Sequence, residues 1–150
     1  MASPDFLILQ SAALPYRIEG KRIEVLLITN SQGDWITPKG HREPYETPQE
    51  AAATEAWEEA GAVGEVLAHP IGCWTYEKRG GRYRVEIFPL LVTQLADSWP
   101  ERAERRRRWC TVEKAAELIG NTELSKLVLA LPEFLICHQV GIPGQLRTTA

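Results

Sequence analysis

Several things this chain of 150 residues has little of narrow its class before any motif does. It holds three cysteines, Cys73, Cys110 and Cys137, an odd number with no C-x-x-C pair among them. That excludes a disulfide framework and a cysteine zinc site, and leaves buried, reduced thiols suited to the cytoplasm as the expectation. No stretch approaches the roughly 20 apolar residues of a membrane helix. The start, Met1-Ala2-Ser3-Pro4-Asp5, lacks the basic region of a signal peptide. Positive charge is in deficit as well: 17 Lys and Arg face 20 Asp and Glu, a net −3. A general nucleic-acid binder would need a basic excess, so none is expected. Hydrophobic residues at 44% and charged residues at 25% match a soluble globular protein. One domain over residues 1–140 is expected, with residues 141–150 as a frayed tail.

What is present reads as alternating strands and helices. Phe6–Leu14 and Ile23–Thr29 are candidate strands, with a short extended piece at Trp35–Thr37. Ile71–Lys78 and Tyr83–Thr93 flank Arg79-Gly80-Gly81-Arg82 as a hairpin. Pro89 cannot donate to a ladder, which predicts a bulge or a sheet edge there. Thr47–Ala60 reads as a helix with Thr47 and Glu50 as a capping box, Pro48 at its first position and Gly61 as its stop. Glu113–Ile119 and Glu123–Gln139 read as helices, the second kinked or split by Pro132. The sum is one α/β domain with a mixed sheet.

The chemistry concentrates between Gly40 and Gly61. Glu55, Glu58 and Glu59 stand at i, i+3 and i+4 and so share one helix face. Like charges at that spacing repel, and Glu58 and Glu59 also sit at the negative end of the helix dipole. A helix so well capped and then loaded with carboxylates calls for a cation, and hard divalent cations prefer oxygen ligands. A solvated acidic face is the plain alternative on spacing alone.

The wider pattern resembles the Nudix box, G-x5-E-x7-R-E-U-x-E-E-x-G-U. The match holds at Gly40, Glu46, Glu55, Glu58, Glu59 and Gly61, with Ala56 and Ala62 at the apolar positions. The resemblance implies an α/β/α sandwich of Nudix type with a mixed β-sheet. It implies Mg²⁺ (or Mn²⁺) held by Glu55, Glu58 and Glu59 with Gly40, the three glutamates forming the catalytic set. Glu46 and Gly61 would support them. A diphosphate would be held and an attacking water activated, with Glu58 or Glu59 taking its proton. Thr54 departs from the pattern, standing where the family has an arginine that orients the glutamates. A threonine offers no charged bidentate bond, so either activity is weakened or another cation substitutes, with Arg42 and Lys39 nearest in sequence.

Positive charge is collected in Glu101–Arg108, where five Arg and two Glu give a local +3. Arginine forks match phosphate oxygens, although consecutive arginines on one element cannot all face one ligand. Trp99-Pro100-Glu101 before the arginines, Trp109 after them, Trp35-x-x-Pro38-Lys39-Gly40 and Phe88-Pro89-Leu90 are similar to the diphosphoinositol polyphosphate phosphohydrolase branch of the Nudix family. Lys39, Arg42, Arg17, Arg22, Arg106 and Arg108 are the candidate phosphate contacts. Glu101 or Glu104 could add a metal ligand or base from a loop. The expected activity is metal-dependent hydrolysis of a phosphoanhydride in a small-molecule polyphosphate, a diphosphoinositol polyphosphate or a dinucleoside polyphosphate. The alternatives are a nucleoside-triphosphate or nucleotide-sugar pyrophosphatase, and a catalytically weak ligand-binding module. No membrane partner is expected.

Overall fold

A computed structural model describes residues 7–138 of the chain; the tail at 141–150 lies outside the described residues. Two long strands form the centre. Strand β1 (Leu7–Glu19) pairs in parallel with β7 (Gly81–Leu95), from Leu7 opposite Arg82 to Tyr16 opposite Leu91. On its other side β1 changes partner along its length. Residues 10–12 pair with β4 (Lys39–His41), and residues 16–19 pair with β2 (Arg22–Thr29). As β2 leaves β1, the short β3 (Trp35–Ile36) takes its free side, while β8 (Arg107–Thr111) pairs along its far side. Strand β7 forks in the same way, to β6 (Gly72–Lys78) and then to β5 (Ala62–Val66). The result is one eight-stranded mixed sheet.

Both forks coincide with prolines. Pro15 and Pro89 lie in adjacent strands, within the pairs Pro15–Leu90 and Leu14–Pro89. Each falls in the gap where its strand has left one antiparallel partner and not yet met the next. A residue without an N–H costs a ladder least where there is no ladder to serve. The expected end of the first strand at Leu14 therefore gives way to a strand that runs on to Glu19. Pro89 sits in a central strand rather than at an edge, and the bulge of this region falls at Val63/Gly64 instead.

Side chains alternate across the sheet and build two cores. Ala12, Leu14, Tyr16, Val25, Leu27, Val85 and Ile87 face α2 (Val112–Leu118), α3 (Thr122–Leu129) and α4 (Leu131–His138). Ala13, Leu26, Ile28, Phe88 and Leu90 face α1 (Pro48–Ala60). Cover on both faces explains why Val25–Ile28 is an unbroken apolar run. The fold is thus an α/β/α sandwich. The C-terminal helical stretch breaks between Leu129 and Leu131, with Pro132 in the first turn of α4. Of the thiols, Cys110 alone is buried; Cys73 and Cys137 are exposed, against the expectation of buried cysteines.

Candidate active site

Helix α1 carries the site, and its ends are fixed locally. Thr47 Oγ1 accepts from the Glu50 N–H at 3.0 Å, and Glu50 Oε1 accepts from the Thr47 N–H at 2.8 Å. Gly61 closes the helix in the left-handed region at φ 66°, with Arg107 and Trp99 packed where a side chain would begin. Ala52, Ala56 and Ala60 are fully buried and let the helix lie close on the sheet. That closeness brings Glu55 onto the backbone of Gly40 in β4, leaving no room for a Cβ between them.

The last turn of α1 contains no basic residue, and its carbonyls would point unsatisfied at the acids. The segment between β7 and β8, together with the start of β8, answers both problems. Glu101 N donates to Glu58 O at 3.0 Å, Trp99 Nε1 to Glu59 O at 3.1 Å, and Arg107 Nη1 to Ala60 O at 2.8 Å. Arg107 also donates to Ala96 O at 2.6 Å and lies 3.9 Å over the Trp99 ring. A cation supplied from β8 therefore complements the negative helix end.

Of the three glutamates, Glu55 and Glu59 form a pair. The Glu55 carboxyl is pushed up to about 8 by burial, by its hydrogen bond to Glu59 and by the charges of Glu59, Glu58 and Glu101. Burial raises Glu59 too, opposed by Arg105, and the two side chains are hydrogen-bonded to each other. Glu58 is half-buried and lies outside this bond. Glu46 holds the entering loop: its Oε1 accepts from the Glu43 N–H at 3.1 Å and its Oε2 from Thr54 Oγ1 at 3.0 Å. Beside the pair opens a cleft of about 380 Å³ lined by Asn30, Ser31, Ile36, Lys39, Glu59, Glu101, Glu104 and Arg105.

The donors fit a hard divalent cation. They are carboxylate oxygens, and two of them are held at a buried spot by a hydrogen bond that such an ion would replace. Among the described residues no three His, Cys, Asp or Glu side chains converge on one point. A two-carboxylate seat suits Mg²⁺, which commonly takes one or two carboxylates and completes its shell with water and substrate phosphate.

The NUDIX domain family model matches residues 9–131. The chain belongs to the Nudix family. It is 37% identical over 123 residues to Nudix hydrolase 12, mitochondrial, of Arabidopsis thaliana, covering 76% of this chain and 59% of that protein. It is 35% identical over 114 residues to diphosphoinositol polyphosphate phosphohydrolase 2 of Rattus norvegicus, covering 73% and 62%. The chain thus spans about three fifths of the length of these curated relatives. Among solved structures, a C. elegans Ap4A hydrolase binary complex aligns with a TM-score of 0.68 at 25% identity, covering 87% of this chain and 98% of that one.

Within this Nudix frame the cations nominated from sequence fall in different places. Lys39 does line the cleft, its ammonium 5.2 Å over the Tyr76 ring and its charge disfavoured chiefly by burial. Arg17 is taken up by Glu24 at 2.8 Å and lies 4.2 Å over Trp109, while Arg22 reaches the same glutamate at 3.7 Å. Arg42 is paired with Glu86 at 3.4 Å. Arg106 lies 5.4 Å over Trp35, and Arg108 is exposed. The arginines that face the site are the other two, Arg105 and Arg107, which sequence reasoning did not select. Two-residue alternation along a strand at 107–111 would have sorted the run, but four consecutive arginines conceal a strand's apolar signature. Arg42 does not supply the cation missing at Thr54; Arg105 stands at ion-pair distance from Glu59, at 3.5 Å, and Lys39 feels the charges of Glu59 and Glu55 from farther away.

Proposed function

We propose that this chain is a metal-dependent Nudix hydrolase that cleaves a phosphoanhydride bond of a polyphosphorylated small molecule by attack of water. The observation that carries the reading is the Glu55–Glu59 pair. Two partly desolvated carboxylates hydrogen-bonded to each other at the edge of a cleft are costly when both are ionised unless they serve a site. Glu55 and Glu59 would hold Mg²⁺ or Mn²⁺ next to Gly40, with Glu58, the third glutamate of the expected ligand set, beside that seat rather than in it. The ion, when bound, offsets phosphate charge and makes water easier to deprotonate. Glu58, outside the hydrogen-bonded pair, is the carboxylate free to accept the proton of that water. Lys39 faces the cleft to meet a phosphate oxygen, and Glu46 and Gly61 hold the two ends of α1.

A dinucleoside polyphosphate suits this cleft better than a diphosphoinositol polyphosphate. An inositol ring bearing phosphates on every side calls for several free cations. Here Arg17, Arg22 and Arg42 are engaged by Glu24 and Glu86. Lys39 stands instead beside the stacked rings of Tyr76 and Tyr83, 4.8 Å apart. The Ap4A hydrolase likeness supports the same choice. Cytoplasmic residence belongs to this proposal, since exposed free thiols at Cys73 and Cys137 suit a reducing compartment.

The deciding experiment is a phosphate-release screen over dinucleoside polyphosphates, inositol pyrophosphates and nucleotide sugars, with Mg²⁺ and with Mn²⁺. Turnover of diadenosine tetraphosphate that is abolished in Glu58→Gln is the expected result. No turnover of any compound, with Glu58→Gln indistinguishable from the parent, would sink the hydrolase reading.

A further inference from the structure

One cation reaches the carboxylate centre, and its bonds run in three directions. Arg105 Nη2 lies 3.5 Å from Glu59 Oε2 and 3.0 Å from Glu101 Oε1. Its Nε donates to the same Glu101 oxygen at 3.0 Å, and its Nη1 donates to the backbone carbonyl of Thr29 at 2.9 Å. The side chain is only 17% exposed. One planar fork therefore joins helix α1, the segment before β8 and the end of β2, a geometry that a lysine's single ammonium does not reproduce. Nothing on α1 duplicates it. Thr54 turns its hydroxyl to Glu46 and to Glu50 O, each at 3.0 Å. Lys39 meets Glu59 through its backbone N–H, at 3.3 Å. Among the described residues, Arg105 is the one cationic side chain at ion-pair distance from Glu55, Glu58 or Glu59.

We propose that Arg105 is the positioning residue of the carboxylate centre, fixing Glu59 against Glu55 while holding Glu101 on the same side of the cleft. Its expected effect on turnover rests on the hydrolase reading above; its effect on ion binding does not. The two ways an arginine can act on such a site have opposite signs. A positive charge that merely sits beside the carboxylates repels a divalent cation, so its removal tightens ion binding. A residue that holds the ligands in place loosens ion binding when removed, as outer partners of metal ligands commonly do.

The test uses the full chain with Arg105→Gln and Arg105→Lys. Binding of Mn²⁺ alone is followed by the electron paramagnetic resonance of the free ion, and turnover is followed on diadenosine tetraphosphate. Arg105→Gln is expected to lower Mn²⁺ affinity and kcat by about ten- to a hundred-fold while KM moves less than about three-fold. Arg105→Lys, which keeps the charge but not the fork, should recover part of both losses. Unchanged or tighter Mn²⁺ binding in Arg105→Gln would overturn the proposal. So would a raised KM with kcat intact, which marks a direct phosphate contact. If thermal melting shows that the Gln variant does not fold, the Lys variant decides: weakened Mn²⁺ binding at the parent's Tm supports positioning, and unchanged binding refutes it. A parent inactive on diadenosine tetraphosphate counts against the hydrolase reading, while the Mn²⁺ titration still judges Arg105.

Discussion

Gly40 has no side chain because the Glu55 carboxylate already occupies the space where one would begin. The obstacle is the flexible end of a side chain, so Gly40→Ala should move Glu55 rather than unfold β4. We expect a Tm within a few degrees of the parent and a loss of activity of about ten-fold or more, since small displacements of reacting groups are costly. Melting and phosphate release on one preparation check both halves. Thr54 leads to a different expectation. Its hydroxyl already serves Glu46, so Thr54→Arg would add only an ion pair there, worth up to about 1 kcal/mol, and leave Glu59 to Arg105. The kcat of Thr54→Arg should therefore stay within about three-fold of the parent. A large gain would show instead that position 54 limits the rate.

Helix α1 was fully legible in the amino-acid order because everything that starts and stops it is local: Thr47 with Glu50, Pro48 at the first position, Gly61 at the end. The six box positions, Gly40, Glu46, Glu55, Glu58, Glu59 and Gly61, were readable for the same reason. What finishes the site was not, because it arrives from 40 or more residues away. Trp99 and Arg107 reach the helix's terminal carbonyls only after β8 has joined β2, and the arginine run carries no apolar alternation to announce a strand. The prolines misled for a related reason, since a strand can pass through proline only where its partners change, and partners are a tertiary fact. Arg107→Ala removes charged bonds to Ala60 O and Ala96 O and bares the helix end. It should destabilise the protein by about 2–3 kcal/mol, measurable as a lowered urea midpoint with an unchanged m-value.

For the whole molecule, the proton on Glu55 couples folding to pH and to metal. Glu55 titrates from 4.5 in an open chain to about 8 when folded, so the native state binds a proton that the unfolded state has released. Its contribution to stability is full below about pH 4.5 and is lost as pH rises through about 8. With chelator present, Tm should fall between pH 5.5 and 8.5, and Glu55→Gln should flatten that slope. Mg²⁺ or Mn²⁺, binding the native state alone, should raise Tm more at pH 8.5 than at pH 5.5, where it must displace the proton. An equal rise at both values would separate the ion from the carboxylate pair. The paired prolines, Pro15 and Pro89, set a further constraint on the same scale. Asn30, just past the end of β2, and Lys39 in β4 line the cleft from the two strands that share one side of β1. A strand that slid along β1 to close the gap between them would have to offer Pro15 as a donor, which it cannot be. The covalent structure of the backbone at Pro15 therefore keeps β2 and β4 apart along β1.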